Sequence, residues 1–137
     1  MEDSVFRFNV KVYYEDTDAG GVVYHSNYLK YMERARSEYL VEKGCDIVLC
    51  EQQYGVIFLV KSLNIDYLLP AKLAETLSVE TQILQLGKVG MSMNQSIYNA
   101  QQSLVCKASV KLASIAKTGE GKYVLKPMPK ELRARLL

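Results

Sequence analysis

The sequence predicts an α+β fold: a mostly antiparallel sheet with one face covered by a single long helix. Three observations predict it. One clean helical pattern, Tyr28 to about Lys43, has an alternating segment before it and about four consecutive alternating segments after it. Strands that run together, rather than alternating with helices, indicate α+β. The helical pattern carries one broad apolar face, which a sheet would cover. At 137 residues the chain reads as one domain, 1–137, long enough to bury its own core.

Each element follows from a local pattern. Phe6, Phe8, Val10 and Val12 alternate with Arg7, Asn9 and Lys11, a period-two strand with one wet face. The acids and glycines at 15–21 favour a loop. Ser26 or Asn27 can cap the helix, which reads Leu29, Met32, Ala35, Arg36, Tyr39 and Leu40, with its apolar residues at three- and four-residue steps. Gly44 suits a left-handed position just past its end, and Arg34–Glu38 has the spacing of an ion pair. Residues 45–54 suggest only a short helical turn. Val56–Val60 is a continuous apolar run leading to Leu63, Ile65 and Tyr67, and Pro70 ends that strand. Further strands are expected around Leu77–Ile83, Met91–Ile97 and Leu104–Leu112, with a turn at 87–90 and a loop at 119–122. Pro127 and Pro129 introduce a short terminal helix. The Met91/Met93 stripe reads as core.

Composition excludes several classes of function. A net charge of +2 is too small to argue for nucleic acid. No apolar run reaches membrane-spanning length, and Met1–Ser4 has neither the basic nor the apolar region of a signal peptide. Cys45, Cys50 and Cys106 show no CxxC spacing, and with one histidine they argue against a metal site. Reduced, partly buried thiols point to a cytoplasmic protein.

Chemistry concentrates in residues 12–28, which hold Glu15, Asp16 and Asp18, Gly20-Gly21 and the one histidine, His25, just before the long helix. A helix start presents unpaired N–H groups and a partial positive charge, which suit developing negative charge. A carboxylate and an imidazole beside those donors make an acid–base site. Taken singly, Asp18 reads as a solvated or capping acid, His25 as an ordinary hydrogen-bonded residue, and Gly20-Gly21 as a turn. Glu15 and Asp16 read as structural or solvent-facing. The joint spacing is what points to catalysis.

Tyr14-x-x-x-Asp18-x-x-Gly21-x-Val23-Tyr24-His25-x-x-Tyr28, followed by Glu33-Arg34-Ala35-Arg36, resembles the hotdog-fold thioesterases. It is most similar to the YbgC-type acyl-CoA thioesterases, associated with the Tol–Pal system, and to their 4-hydroxybenzoyl-CoA relatives. The later strands and Lys126-Pro127-x-Pro129 extend the likeness over nearly the whole chain. His25 favours the YbgC branch, because the benzoyl-specific relatives differ there. The resemblance implies a curved antiparallel sheet wrapped around a long central helix. It also implies a homodimer with sites at the interface, dimers that pair into tetramers, and hydrolysis of an acyl-CoA substrate without metal or organic cofactor. By similarity Asp18, His25 and Tyr14 match the catalytic residues.

A thioester needs an activated water or a nucleophile, and donors for the oxyanion. Asp18 suits either role, as general base or as attacking carboxylate. Backbone N–H groups around Tyr24 and His25, beyond the Gly21 turn, suit the oxyanion. His25 would orient water or thioester, or help set the ionisation of Asp18, and Tyr14 would fix the Asp18 rotamer. Lys61, Lys88, Lys122 and Lys126 are candidates for the coenzyme A phosphates. A competing reading is a non-catalytic module that binds acyl-CoA or acyl carrier protein. A hotdog hydratase is a third, and the motif resembles those less.

Overall fold

The computed structural model describes residues 5–137; Met1–Ser4, read above for a leader, lies outside the described residues. Strand β1 (Phe6–Lys11) leads through a 3₁₀ turn (Tyr14–Asp16) to helix α1 (Asn27–Glu42). Then come α2 (Ile47–Tyr54), β2 (Ile57–Tyr67), β3 (Thr76–Leu86), β4 (Gly90–Tyr98), β5 (Leu104–Lys117), β6 (Tyr123–Leu125) and α3 (Lys130–Leu136). The α+β class and the run of strands after one long helix are as expected.

The sheet is antiparallel at every pairing, in the order β1-β3-β4-β5-β2. The two strands flanking α1 in sequence, β1 and β2, therefore lie on opposite edges. Strand β6 pairs with β5 over Ile115–Lys117. Since β2 already pairs with Ile115 on one side, β6 takes the other side, beyond the end of β4. Three residues are too short to leave an alternation signal, so β6 was not legible in the sequence.

On β4, Met91, Met93, Gln95 and Ile97 are buried, whereas the residues between them are not. Val110 and Leu112 of β5 face the same core, and Tyr31, Met32, Ala35, Tyr39 and Leu40 of α1 close it. Helix α1 presents a face slightly rotated from the expected one: Leu29 is exposed, Arg36 is half-buried, and Tyr31 takes a fully buried place. Gly44, at φ +78°, ends the helix as expected. The Arg34–Glu38 pair does not form; among the described residues the ion pair is Arg7–Glu80, across β1 and β3. Glu33 instead accepts from the Ser37 hydroxyl at 2.7 Å.

Residues 45–54 form a complete helix rather than a turn. Asp46 caps it by accepting the Leu49 N–H at 2.8 Å, and Gly55, left-handed at φ +65°, stops it. Cys45, Cys50 and Cys106 are free and buried.

One polar side chain sits in the middle of the core. Gln95, 1% exposed, accepts from the Arg36 guanidinium at 2.9 Å. Its amide donates to the Met32 carbonyl and to the Thr81 hydroxyl, both at 2.9 Å. The centre of the sheet is thus tied to the middle of α1.

Candidate active site

The segment between β1 and α1 is a hairpin. Thr17 and Val23 pair across it, and the Asp18 N–H donates to the Val22 carbonyl at 2.9 Å. Residues 19–21 turn the corner, with Gly21 at φ +78°, a left-handed position that glycine adopts without strain. The Asp18 carboxylate sits at the exposed tip and accepts the Gly20 N–H at 2.8 Å. Gly21 therefore shapes the loop, and Asp18 keeps one oxygen for that loop and presents the other.

The return strand runs directly into the helix. The Asn27 N–H donates to the Tyr24 carbonyl at 2.8 Å, and α1 begins there. Ser26 stands at the cap position in a helical conformation, and among the described residues no side chain caps the helix. The expected capping by Ser26 or Asn27 is thus absent. The Tyr24 N–H, expected to face the oxyanion, instead donates to the Asp16 carbonyl at 2.9 Å, and the Leu29 N–H donates to the Ser26 carbonyl at 3.2 Å. The remaining N–H groups at the start of α1 lie beside an apolar cleft without a side-chain cap among the described residues.

His25 is exposed at this mouth. Its ring lies 4.4 Å from the Tyr24 ring and 6.2 Å, edge-on, from that of Tyr67. Tyr67, from the far edge of the sheet, donates its hydroxyl to the His25 carbonyl at 3.1 Å. Val23, His25, Tyr28, Tyr67 and Leu68 line a cleft of about 280 Å³. The buried Tyr28 hydroxyl accepts the Ala71 N–H at 3.2 Å, and burial raises its pKa. Tyr67 left no separate signal in the sequence, where it reads as an ordinary strand aromatic, and Tyr28 shows there only as the last residue of the motif.

The structure brings some candidates together and separates others. Tyr14 is 82% exposed, and its carbonyl holds Thr17; among the described residues no hydrogen bond joins Tyr14 to Asp18 or His25. Lys61 and Lys88 both line a cavity of about 440 Å³ with Lys111, Met91, Leu112 and Leu125. Lys61 is six residues before Tyr67 on β2, so this cavity lies roughly 20 Å along the strand from His25. Lys126 is not part of it; its side chain turns toward Gly55.

Of the two readings the sequence left open for Asp16, structural or solvent-facing, the structure takes the first. Asp16 is 5% exposed, and its carboxylate accepts the Tyr13 N–H at 2.9 Å and the Asn27 side-chain amide at 2.7 Å. The buried Tyr31 hydroxyl makes no hydrogen bond among the described residues; burial first, then the neighbouring Asp16, push its pKa up.

Comparison with known proteins shows the family and the fold. The thioesterase-like superfamily profile matches residues 12–136. The acyl-CoA thioesterase YbgC of Haemophilus influenzae is 43% identical, covering 98% of this chain and 96% of its own. A probable thioesterase of Bartonella henselae is 33% identical, with TM-score 0.81 over 90% of this chain and all of that one. The 4-hydroxybenzoyl-CoA thioesterase of Pseudomonas sp. strain CBS-3 shares the fold at TM-score 0.87 and 18% identity, covering 96% and 98% of the two chains.

Proposed function

This chain belongs to the thioesterase-like superfamily and is a thioester hydrolase of hotdog fold; from that premise we propose that it hydrolyses acyl-CoA to a free acid and coenzyme A, with Asp18 as the working carboxylate. One observation carries the assignment. The Asp18 carboxylate is exposed on the hairpin whose return strand ends at the uncapped start of α1.

The chemistry follows from those two parts. The thioester carbonyl oxygen meets the N–H groups at the helix mouth, where one donor contributes roughly a hundred- to thousandfold in rate. Asp18 takes a proton from water as the water attacks the carbonyl carbon, worth roughly a further hundred- to ten-thousandfold. Alternatively its oxygen attacks directly, and water then cleaves the mixed anhydride. In both routes the C–S bond breaks and coenzyme A leaves as the thiolate. His25, at the same mouth, orients the water or the thioester.

Tyr14 acts from the surface, where a second subunit can meet it. Among the described residues the outer side of β2 has no strand partner, and Leu59, Val60 and Leu63 on it are exposed. An apolar open edge of this kind supports a homodimer built across β2. Lys61 and Lys88, which line one cavity, suit the coenzyme A phosphates.

Asp18→Asn tests the proposal, because the amide oxygen still accepts the Gly20 N–H and the loop is kept. Thiol release from an acyl-CoA series is expected to fall at least a hundredfold, with unchanged melting temperature and dimer mass. Full turnover in that variant would remove Asp18 from the mechanism.

A further inference from the structure

Asp16, not only Asp18, belongs to the catalytic apparatus: we infer that Asp16 is a positioning residue that fixes the Asp18 hairpin against the start of α1. The inference rests on the reading of Asp18 above.

Three segments meet at Asp16. Its carboxylate reaches back to the Tyr13 N–H at the end of the β1 segment and forward to the Asn27 amide in the first turn of α1. Its carbonyl accepts the Tyr24 N–H at 2.9 Å, closing the base of the hairpin. Asp18 lies two residues beyond that base. The angle between hairpin and helix is therefore set by one buried carboxylate with both oxygens engaged.

Burial makes the clamp stiff. A buried acceptor that loses its donor keeps the cost of leaving water, so Asp16 and Asn27 hold each other in place. Neither is disposed to face substrate: Asp16 is 5% and Asn27 8% exposed. Their role is transmitted through Asp18 and the helix mouth. A displacement of about 1 Å between a catalytic group and its substrate can cost on the order of a hundredfold in rate. Binding of the distant nucleotide end of coenzyme A should hardly notice it.

The test is a swap. Asp16→Asn and Asn27→Asp, made singly, each spoil the pairing: the first offers one oxygen where two donors wait, and the second sets two carboxylates face to face. Made together they restore it, since the new amide accepts from the Tyr13 N–H and donates to the new carboxylate. In steady-state thiol release, each single variant should lower kcat by about a hundredfold with KM within about threefold. The double variant should regain most of the lost kcat. Asn27→Ser, which is smaller and adds no charge, serves where a single variant fails to fold, and should also lower kcat with little change in KM. Folded single variants with wild-type kcat would overturn the inference. So would a double variant that recovers the melting temperature but not kcat. Asp18→Asn, run in parallel, separates the two readings: an active Asp18→Asn protein sinks the proposed mechanism, whereas an inactive one beside fully active Asp16→Asn sinks only the clamp.

Discussion

Gln95→Met removes the polar centre of the core while preserving its volume, so the cost comes from hydrogen bonds rather than from a cavity. Gln95 accepts from the Arg36 guanidinium and donates to the Met32 carbonyl and the Thr81 hydroxyl. A bond to a charged group is worth about 1.5–3 kcal/mol and a neutral one about 1 kcal/mol. Burial lowers the Arg36 pKa, as expected where water reaches the guanidinium poorly. The three losses come to roughly 4 kcal/mol, and the gain from an apolar side chain offsets about 1 kcal/mol of that. The expected loss is therefore about 3 kcal/mol, a large share of a domain stability of about 5–15 kcal/mol. Urea unfolding followed by far-ultraviolet circular dichroism reads it as a lower midpoint at unchanged slope. The double variant Gln95→Met/Arg36→Met should lose less than the sum of the single variants, because no charge is left facing an apolar partner. A loss below about 1 kcal/mol in Gln95→Met, or strict additivity with Arg36→Met, would refute the reasoning.

Two further outcomes follow from the same structure. Burial pushes the Cys106 thiol up to about 12 and raises Tyr28, Tyr31 and Tyr39. Groups with a raised folded pKa stabilise the fold below their unfolded values and lose that contribution as pH climbs toward the folded ones. Stability should thus fall from about pH 9 upward, by up to about 1.4 kcal/mol per pH unit for each titrating group, and Cys106→Ala should soften the onset. Denaturant titrations from pH 7 to 11 check both. Gly90→Ala would drive a Cβ into the Leu112 carbonyl oxygen of the paired strand, whereas a Cβ at Gly119 meets nothing. Thermal unfolding should show a loss of about 1–3 kcal/mol for the first and less than about 0.5 kcal/mol for the second.

The sheet and the long helix were legible because their periods are unambiguous. Phe6–Val12 alternates cleanly, and the α1 pattern placed the helix within one residue of its observed ends. Elements failed to show where the signal is short or shared. The α2 helix hid behind one polar cap, Asp46, and β6 is too brief to alternate. The site shows the same division. The loop after β1 and its run into the helix start follow from glycine and helix-start chemistry, whereas its hairpin pairing of Thr17 with Val23 does not. Asp16 could not be told from a solvated acid, because its burial depends on Asn27 eleven residues later. Tyr67 is further from reach still, since it arrives at His25 from the opposite edge of the sheet.

That last contact has a consequence for how the enzyme comes into being. The mouth of α1 is walled by Tyr67 and Ala71, which lie 42 and 43 residues downstream of the positions they touch. No nascent fragment ending before β5 can hold both walls and the strand that β2 pairs with. During refolding, thiol release is therefore expected to lag the helical signal, because the walls of the mouth depend on contacts distant in sequence.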